Sequence, residues 1–170
     1  MSSSPSMFDQ HKLNWMNGQY IKKLSDEEYL KFIKPYLAKA INIENFDDEK
    51  LLFLGNMFKE QIQYGEEIVN LIKPMYEYKL EESEEALAML NLETTPLVLK
   101  TFAIKLEQAD NLEPETLKVM FKEIANETGV KGKALYMPLR LKITGQMHGA
   151  ELVNIIKLLG KEEILKRVNA

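Results

Sequence analysis

The apolar residues of this chain recur every three or four positions almost from end to end, and that spacing confines it to helices. Tyr29, Leu30, Ile33, Tyr36, Leu37 and Ala40 fall on one helical face. Leu51, Leu54, Met57, Phe58 and Ile62 make another, Leu99, Phe102, Ala103 and Leu106 a third, and Leu117, Met120, Phe121 and Ile124 a fourth. No stretch alternates apolar and polar residues as a half-buried strand does, and no Asn-Gly or Asp-Gly turn joins two such stretches.

Start and stop signals divide the pattern. Asp9 is expected to cap a first helix carrying Leu13, Trp15, Met16, Tyr20 and Ile21. Ser25-Asp26-Glu27-Glu28 is a capping box, in which Ser25 and Glu28 each satisfy a backbone N–H. Pro35 predicts a kink or an early end to the second helix. Asp47 or Asp48 opens a third, which Gly65 is expected to break, and a short helix should follow up to Lys73, before Pro74. Further on, Thr95 fits a cap with Pro96 at the first helical position, and Glu113-Pro114 repeats the arrangement. Gly129 fits a left-handed end with Val130 as the apolar residue after it. A helix then runs toward Gly145, a loop covers 145–149, and another helix spans about 150–159 until Gly160. A basic helix from Lys161 to about Val168 is last. The expected fold is all-α, seven to nine short helices in two small helical bundles in tandem, with no internal repeat.

With 45% hydrophobic and 28% charged residues, the chain can bury a core. Residues 1–7, Ser-rich and without an apolar or basic run, read as a flexible leader outside the fold. Glu81, Glu82, Glu84 and Glu85 follow Tyr76-Glu77-Tyr78-Lys79 and suggest a boundary within 76–84, giving domains 8–80 and 81–170. An acidic helix N-terminus, favoured by the macrodipole, is the plainer account of the same residues. No apolar run approaches the ~20 residues that span a bilayer, so no membrane is expected. The absence of cysteine excludes disulfides and thiolate metal sites, and fits a cytoplasmic location.

Enzyme motifs are missing. There is no phosphate loop, dinucleotide-binding glycine fingerprint, Gly-x-Ser-x-Gly or His-Glu-x-x-His. The two histidines, His11 and His148, lie far apart, too few for a triad or a zinc site. The acidic pairs at 47–49, 66–67 and 81–85 match no Ca²⁺ loop. No catalytic residue and no metal ligand is expected here.

Charge is informative through its distribution. The net charge is −4, yet residues 129–170 hold eight Lys/Arg and three Glu, while residues 1–128 hold fourteen basic and twenty-three acidic residues. Such asymmetry suggests an anionic partner, or simply a solvated basic face. The stretch from Lys131 to Leu152 concentrates the possibilities. Arg140 and two lysines precede a helix N-terminus, where backbone N–H groups attract anions. Gly145 and Gly149 permit close backbone approach, Gln146 and His148 offer hydrogen bonds, and Tyr136 and His148 offer flat faces. Unstacked single-stranded bases call for such groups. A helix–loop–helix corner with a structural Arg140 would use the same residues.

Three segments carry a family resemblance. Phe8-Asp9-Gln10-His11-Lys12-Leu13-Asn14-Trp15-Met16-Asn17-Gly18-Gln19-Tyr20-Ile21 resembles the Phe-Asp-x-x-Lys-Leu-x-Trp-Met-Asn-Gly-x-Tyr-Ile segment of bacterial glutamyl-tRNA synthetases. Lys133-Ala134-Leu135-Tyr136-Met137-Pro138-Leu139-Arg140, followed by Ile143-Thr144-Gly145, is similar to the anticodon-binding motif of that family. Leu158-Leu159-Gly160-Lys161-Glu162 resembles its C-terminal signature. The matches come in the family's order and cover nearly the whole chain. The family's catalytic domain, with its His-Ile-Gly-His-like and Lys-Met-Ser-Lys-Ser-like motifs, has no counterpart here.

The resemblance implies a tRNA anticodon-binding piece of an ATP-dependent glutamate–tRNA ligase. Residues 8–80 would be the tail of the stem-contact region with a first helical subdomain, and 81–170 a second. The piece would be inactive alone and hold no cofactor, with ATP and Mg²⁺ bound by the full-length enzyme. Its partners would be tRNA(Glu) and the catalytic domain in cis, and a monomer is expected. Arg140 would contact the first anticodon bases, Thr144 and Gly145 would shape the loop, and Gly149, Ala150, Leu152 and Lys133 would lie against the anticodon. Trp15, Met16 and Tyr20 would pack at the junction with the catalytic part. Relatives restricted to glutamate tRNA use an Arg in the third helix of this region to read the last anticodon base. That place falls near Glu60 or Gln61, and no Arg precedes Arg140. Lys59 lacks the planar fork suited to a base edge. A relaxed reader that also accepts tRNA(Gln) follows as an expectation. The alternatives are a stand-alone helical RNA-binding protein and a helical protein-interaction module.

Overall fold

A computed structural model describes residues 6–170, with side chains from Asp9 onward. Of the expected leader, residues 1–5 lie outside the described residues. Among the described residues there are ten helices and no strand, so the fold is all-α. The chain divides into two compact units, one ending at Tyr76 and the other spanning Glu77–Ala170.

The first unit holds α1 (Ser6–Lys23), α2 (Asp26–Ala40), α3 (Asp48–Asn56) and α4 (Glu67–Tyr76). Helix α1 starts earlier than expected, and Asp9 lies in its first turn, where its charge favours the helix dipole, instead of capping it. Helix α2 opens on the full capping box. Ser25 Oγ accepts from the Glu28 N–H and the Glu28 carboxylate accepts from the Ser25 N–H, which holds that carboxyl below its ordinary value. Pro35 neither stops nor shortens this helix, which runs on to Ala40. The ring is exposed at 35, on the face away from the buried Tyr29, Ile33 and Leu37, so solvent can meet the carbonyl it leaves without a donor.

Asp47 caps α3 by accepting from the Lys50 N–H. The helix ends at Asn56, well before Gly65, yet Phe58 and Ile62 remain buried. Successive turns carry them inward, with the Gln61 and Ile62 amides both bonded to the Phe58 carbonyl. The expected apolar face was therefore right about burial and wrong about helix length. Likewise α4 passes through Pro74 to Tyr76, because Ile68, Val69, Ile72 and Met75 bury one continuous face across it. The Tyr29 hydroxyl, inside this core, donates to the Gly55 carbonyl at 2.6 Å. Burial pushes the Tyr29 phenol well above its ordinary value, so it stays a donor throughout the physiological range.

The second unit holds α5 (Glu84–Leu90), α6 (Thr95–Gln108), α7 (Pro114–Thr128), α8 (Lys133–Thr144), α9 (Leu152–Leu159) and α10 (Lys161–Asn169). Thr94, not Thr95, is the N-cap of α6. Thr95 is buried and its hydroxyl donates to the Met89 carbonyl at 2.8 Å, which draws it into the helix. Glu113 and Pro114 open α7 as expected, and Gly129 closes it at φ 73° with Val130 buried behind. Val98, Phe102 and Leu106 of α6 meet Leu117, Phe121 and Ile124 of α7 in the core, where the Phe102 and Phe121 rings stack at 6.0 Å. Truncating any one of these buried aliphatic side chains to Ala should cost about 2–5 kcal/mol.

One close approach in the first unit gives a direct test. A β-carbon on Gly65 would lie 2.2 Å from Tyr36 Cε2, and that ring is itself held by Phe32 at 5.7 Å and by the Lys39 ammonium at 5.5 Å. Gly65→Ala is expected to destabilise the unit by about 1–3 kcal/mol, the range for overpacking. Tyr36→Leu in the same chain should recover part of the loss, since the two changes share one clash. Thermal unfolding of the single and double variants measures this, and an unchanged midpoint for Gly65→Ala would refute it.

Candidate nucleic-acid interface

Helix α8 is built to end abruptly. Its buried face, Leu135, Leu139, Leu141 and Ile143, fixes its rotation, and Thr144 is its last residue. The Thr144 hydroxyl lies 2.8 Å from the Arg140 carbonyl and 3.0 Å from the Gln146 carbonyl, and accepts from the Gln146 N–H at 3.1 Å. Gly145 then turns the chain at φ 79°, a conformation that costs other residues about 1 kcal/mol or more. Its backbone N–H returns to the Leu141 carbonyl at 2.8 Å, closing the helix.

A second reason for glycine at 145 comes from far along the chain. A β-carbon there would sit 2.1 Å from the Lys79 carbonyl oxygen and 2.7 Å from its carbon. The strap Tyr78–Glu81 runs across the end of α8 at that point and is tied to it repeatedly. The Glu81 N–H donates to the Gly145 carbonyl at 2.7 Å, the Gln146 side-chain amide donates to the Lys79 carbonyl at 2.9 Å, and the Tyr78 hydroxyl donates to the Leu141 carbonyl at 2.9 Å. The Glu81 carboxylate accepts from the Met147 N–H at 3.1 Å and from the Ser83 hydroxyl at 2.8 Å. Between these polar ties, Leu80 packs on a small apolar cluster of Ala86, Leu141 and Met147.

Arg140 leaves α8 one turn before its end. Its guanidinium is half-buried, and Nη1 donates to the Ala150 carbonyl at 2.9 Å. Burial draws its pKa below the ordinary guanidinium value, but an arginine at this level remains a cation. That one contact pins the far side of the loop to the helix. Gly149 is exposed, Ala150 is half-buried, and Leu152 is buried at the start of α9. The structure thus brings Arg140, Thr144, Gly145, Gly149, Ala150 and Leu152 into one corner. Within it Arg140, Gly149 and Ala150 are open to solvent to differing degrees, while Thr144, Gly145 and Leu152 are framework.

Lys133 stands apart at the other end of α8, paired with Glu85 at 2.6 Å, and the ammonium holds that carboxyl below its ordinary value. Glu60 and Gln61 are both exposed, in the turns beyond α3 and not on a helix. Glu60 lies 3.9 Å from Lys22. The neighbouring Lys59 ammonium donates to the Leu24 carbonyl at 2.7 Å and lies over the Tyr29 ring at 5.0 Å, so it is anchored in the first unit.

Much of the C-terminal positive charge serves the fold. Lys161 donates to the Glu107 and Ala109 carbonyls at the end of α6, Arg167 to the Ile143 carbonyl near the end of α8, and Lys157 pairs with Glu113. The charge asymmetry of the sequence therefore overstates the cationic surface. Sequence reading also missed Tyr78 and Glu81, which looked like part of an acidic boundary. Their role depends on partners more than 60 residues away, and no local pattern announces it. Among the described residues no group of three or more His, Cys, Asp or Glu could hold a metal ion, and no helix is long and apolar enough to cross a membrane.

Two outcomes follow from the corner's geometry. Gly145→Ala is expected to destabilise the second unit by about 2–5 kcal/mol, combining a left-handed backbone with overpacking against a carbonyl. A thermal midpoint equal to that of the parent would refute it. The second outcome concerns pH. Donation from Ser83 and then from the Met147 N–H holds the Glu81 carboxyl below its ordinary value, with His148 nearby adding in the same direction. A depressed carboxylate stabilises the folded state above its unfolded pKa, and that contribution is lost as pH falls through the folded value. The Met147 amide proton shift should therefore titrate with a midpoint below the ordinary glutamate value. A midpoint at or above the ordinary value would mean that the bond is not formed in solution.

Comparisons with known proteins agree with this architecture. A family model described as the anticodon binding domain matches residues 17–170. Glutamate–tRNA ligase of Bacillus subtilis (strain 168) is 41% identical over 172 residues, covering 99% of this chain and 36% of that protein. The ligase of Exiguobacterium sibiricum is 42% identical over 174 residues, covering all of this chain and again 36% of its own. The chain thus spans little more than a third of the length of these relatives. Among solved structures, a glutamate tRNA ligase from Elizabethkingia meningosepticum, crystallised in complex with its amino acid, superposes with a TM-score of 0.80 at 27% identity, over 92% of this chain and 30% of that one. On the match of the family model to residues 17–170, the chain belongs to the anticodon binding domain family.

Proposed function

We propose that this chain is the anticodon-recognising part of a glutamate–tRNA ligase, which joins glutamate to tRNA(Glu) at the expense of ATP. The observation that carries the reading is the corner at the end of α8. There a half-buried Arg140 guanidinium is fixed by the Ala150 carbonyl beside a loop whose turn is locked at Gly145. A planar, pre-oriented cation with further N–H donors suits a base edge or a phosphate, and its fixed position lowers the entropy cost of binding. Gly149 and Ala150, beside it, let a base approach the backbone. Leu152 supports the loop from the core, and Lys133 adds long-range attraction at the start of the helix.

Activation and transfer of glutamate belong to the remainder of a longer protein, which also binds ATP and Mg²⁺. This chain is inactive without it and acts as a monomeric unit in the cytoplasm. Residues 8–80 comprise the tail of the stem-contact region and a first anticodon-binding subdomain, residues 81–170 a second. Helix α1 supports a junction with the catalytic part. It exposes Leu13, Trp15, Met16 and Tyr20 at 52–66%, while Gly18 and Ile21 are buried. An 18-residue helix with so little burial of its own gains stability from a partner.

Reading of the last anticodon base falls to the stretch around Glu60 and Gln61. It has no arginine, and Lys59 is already bonded to Leu24. On this basis the enzyme accepts tRNA(Gln) as well as tRNA(Glu), and a separate amidation converts the mischarged product.

The test is a titration of this chain with glutamate and glutamine anticodon stem-loops and an unrelated loop, followed by residue-resolved NMR. Both cognate loops should shift Arg140, Gly145, Gly149 and Ala150, with little response to the control, and affinity should fall with salt as phosphate contacts release counterions. Arg140→Ala is expected to weaken cognate binding by about 5- to 150-fold, the range of about 1–3 kcal/mol for one specific base contact. No response at Arg140 to any loop, together with full tRNA affinity of a complete Arg140→Ala ligase, would overturn the assignment. Strict rejection of tRNA(Gln) by the complete ligase would end the relaxed reading alone.

A further inference from the structure

The strap Tyr78–Glu81 has no part in the interface as read from sequence, yet it is bonded to that interface more densely than to anything else. It meets Leu141, Gly145, Gln146 and Met147 through backbone and side-chain hydrogen bonds, all between 2.7 and 3.1 Å. Two of these ties converge on Glu81. Its N–H holds the Gly145 carbonyl and its carboxylate holds the Met147 N–H, so one residue grips the loop on both sides of Gln146. The carboxylate is itself oriented by the Ser83 hydroxyl, which also accepts from the Ala86 N–H as the cap of α5. A rigid helix start thus aims Glu81 at the loop. Other titratable groups around it are His148 on the loop, Glu85 on α5 and, through Glu85, Lys133 on α8.

We propose that Glu81 is a positioning residue for anticodon recognition: by clamping Gly145 and Met147 it fixes the 145–150 loop, and with it the Ala150 carbonyl that orients Arg140. This rests on the anticodon reading above and deepens it. The consequence runs against simple electrostatics. A carboxylate near an RNA site repels phosphate, so removing it should tighten binding to every sequence. A carboxylate that orders the loop does the opposite. Its removal loosens the reading groups and erodes the difference between anticodons.

The experiment compares Glu81→Ala and Glu81→Gln with the parent chain, using cognate and base-substituted anticodon stem-loops. Glu81→Ala should bind the cognate loop roughly tenfold more weakly, what one charge-assisted hydrogen bond amounts to, and should narrow the gap between cognate and substituted loops. Glu81→Gln keeps an oxygen that can accept from the Met147 N–H, and should retain most of the discrimination. Unchanged or tighter binding by Glu81→Ala overturns the proposal, and so does an equal loss in both variants, which would make charge and not the acceptor the cause. Should Glu81→Ala fail to fold, Tyr78→Phe loosens the strap at Leu141 and must reduce discrimination in the same direction, or the proposal falls. RNA-free spectra separate the two readings. If the parent binds no stem-loop, the anticodon function fails, while displaced or broadened Gly145–Ala150 resonances in Glu81→Ala still decide whether the strap orders the loop.

Discussion

The second unit turns on a backbone-to-backbone approach at the end of α8. The Lys79 carbonyl occupies the place where any side chain at 145 would begin, 2.1 Å from a β-carbon position. Only a glycine there lets the strap cross the helix end, and only the crossing lets Glu81 reach the Gly145 carbonyl and the Met147 N–H. The same glycine supplies the left-handed turn that stops the helix. Helix termination, strap docking and loop shape are thus one constraint. It explains how a loop that is open at His148 and Gly149 can hold a fixed course between two helices.

Several cations in this molecule act at helix ends. Lys59 meets the Leu24 carbonyl, Lys161 the carbonyls of Glu107 and Ala109, and Arg167 the carbonyl of Ile143. Each satisfies acceptors that a helix leaves without an N–H, and each favours the negative end of the dipole. The net charge of −4 and the basic C-terminal stretch are therefore poor guides to ligand preference. What distinguishes Arg140 is that its acceptor, the Ala150 carbonyl, belongs to the very loop it stands beside. Its burial limits water competition, so a contact from it is worth more than one from an exposed lysine.

Several local signals in the sequence were dependable guides. Ser25 and Glu28 form their capping box, Asp47 caps α3, Pro114 opens α7, and Gly129 and Gly145 end their helices in the left-handed region. The sequence misled where packing outweighed propensity. Pro35 and Pro74 lie inside helices because buried faces continue past them, and the run from Leu51 to Ile62 is only half helical because turns bury Phe58 and Ile62 equally well. Thr95 left its cap because a buried hydroxyl needs an acceptor, and the Met89 carbonyl lay within reach.

By itself, then, the sequence determined the all-α class and several helix boundaries, and marked the Arg140–Gly145 segment as a candidate, because periodicity, capping and glycine geometry act within a few residues. Tertiary structure decided what those residues are doing. It assigned Thr144, Gly145 and Leu152 to the framework, tied Lys133 to Glu85, and left Arg140, Gly149 and Ala150 open to solvent to differing degrees. It also brought Tyr78, Lys79 and Glu81 onto a loop more than 60 residues further along. Contacts of that span leave no period and no spacing in a sequence, since they depend on how helices between them pack, and only the folded chain displays them.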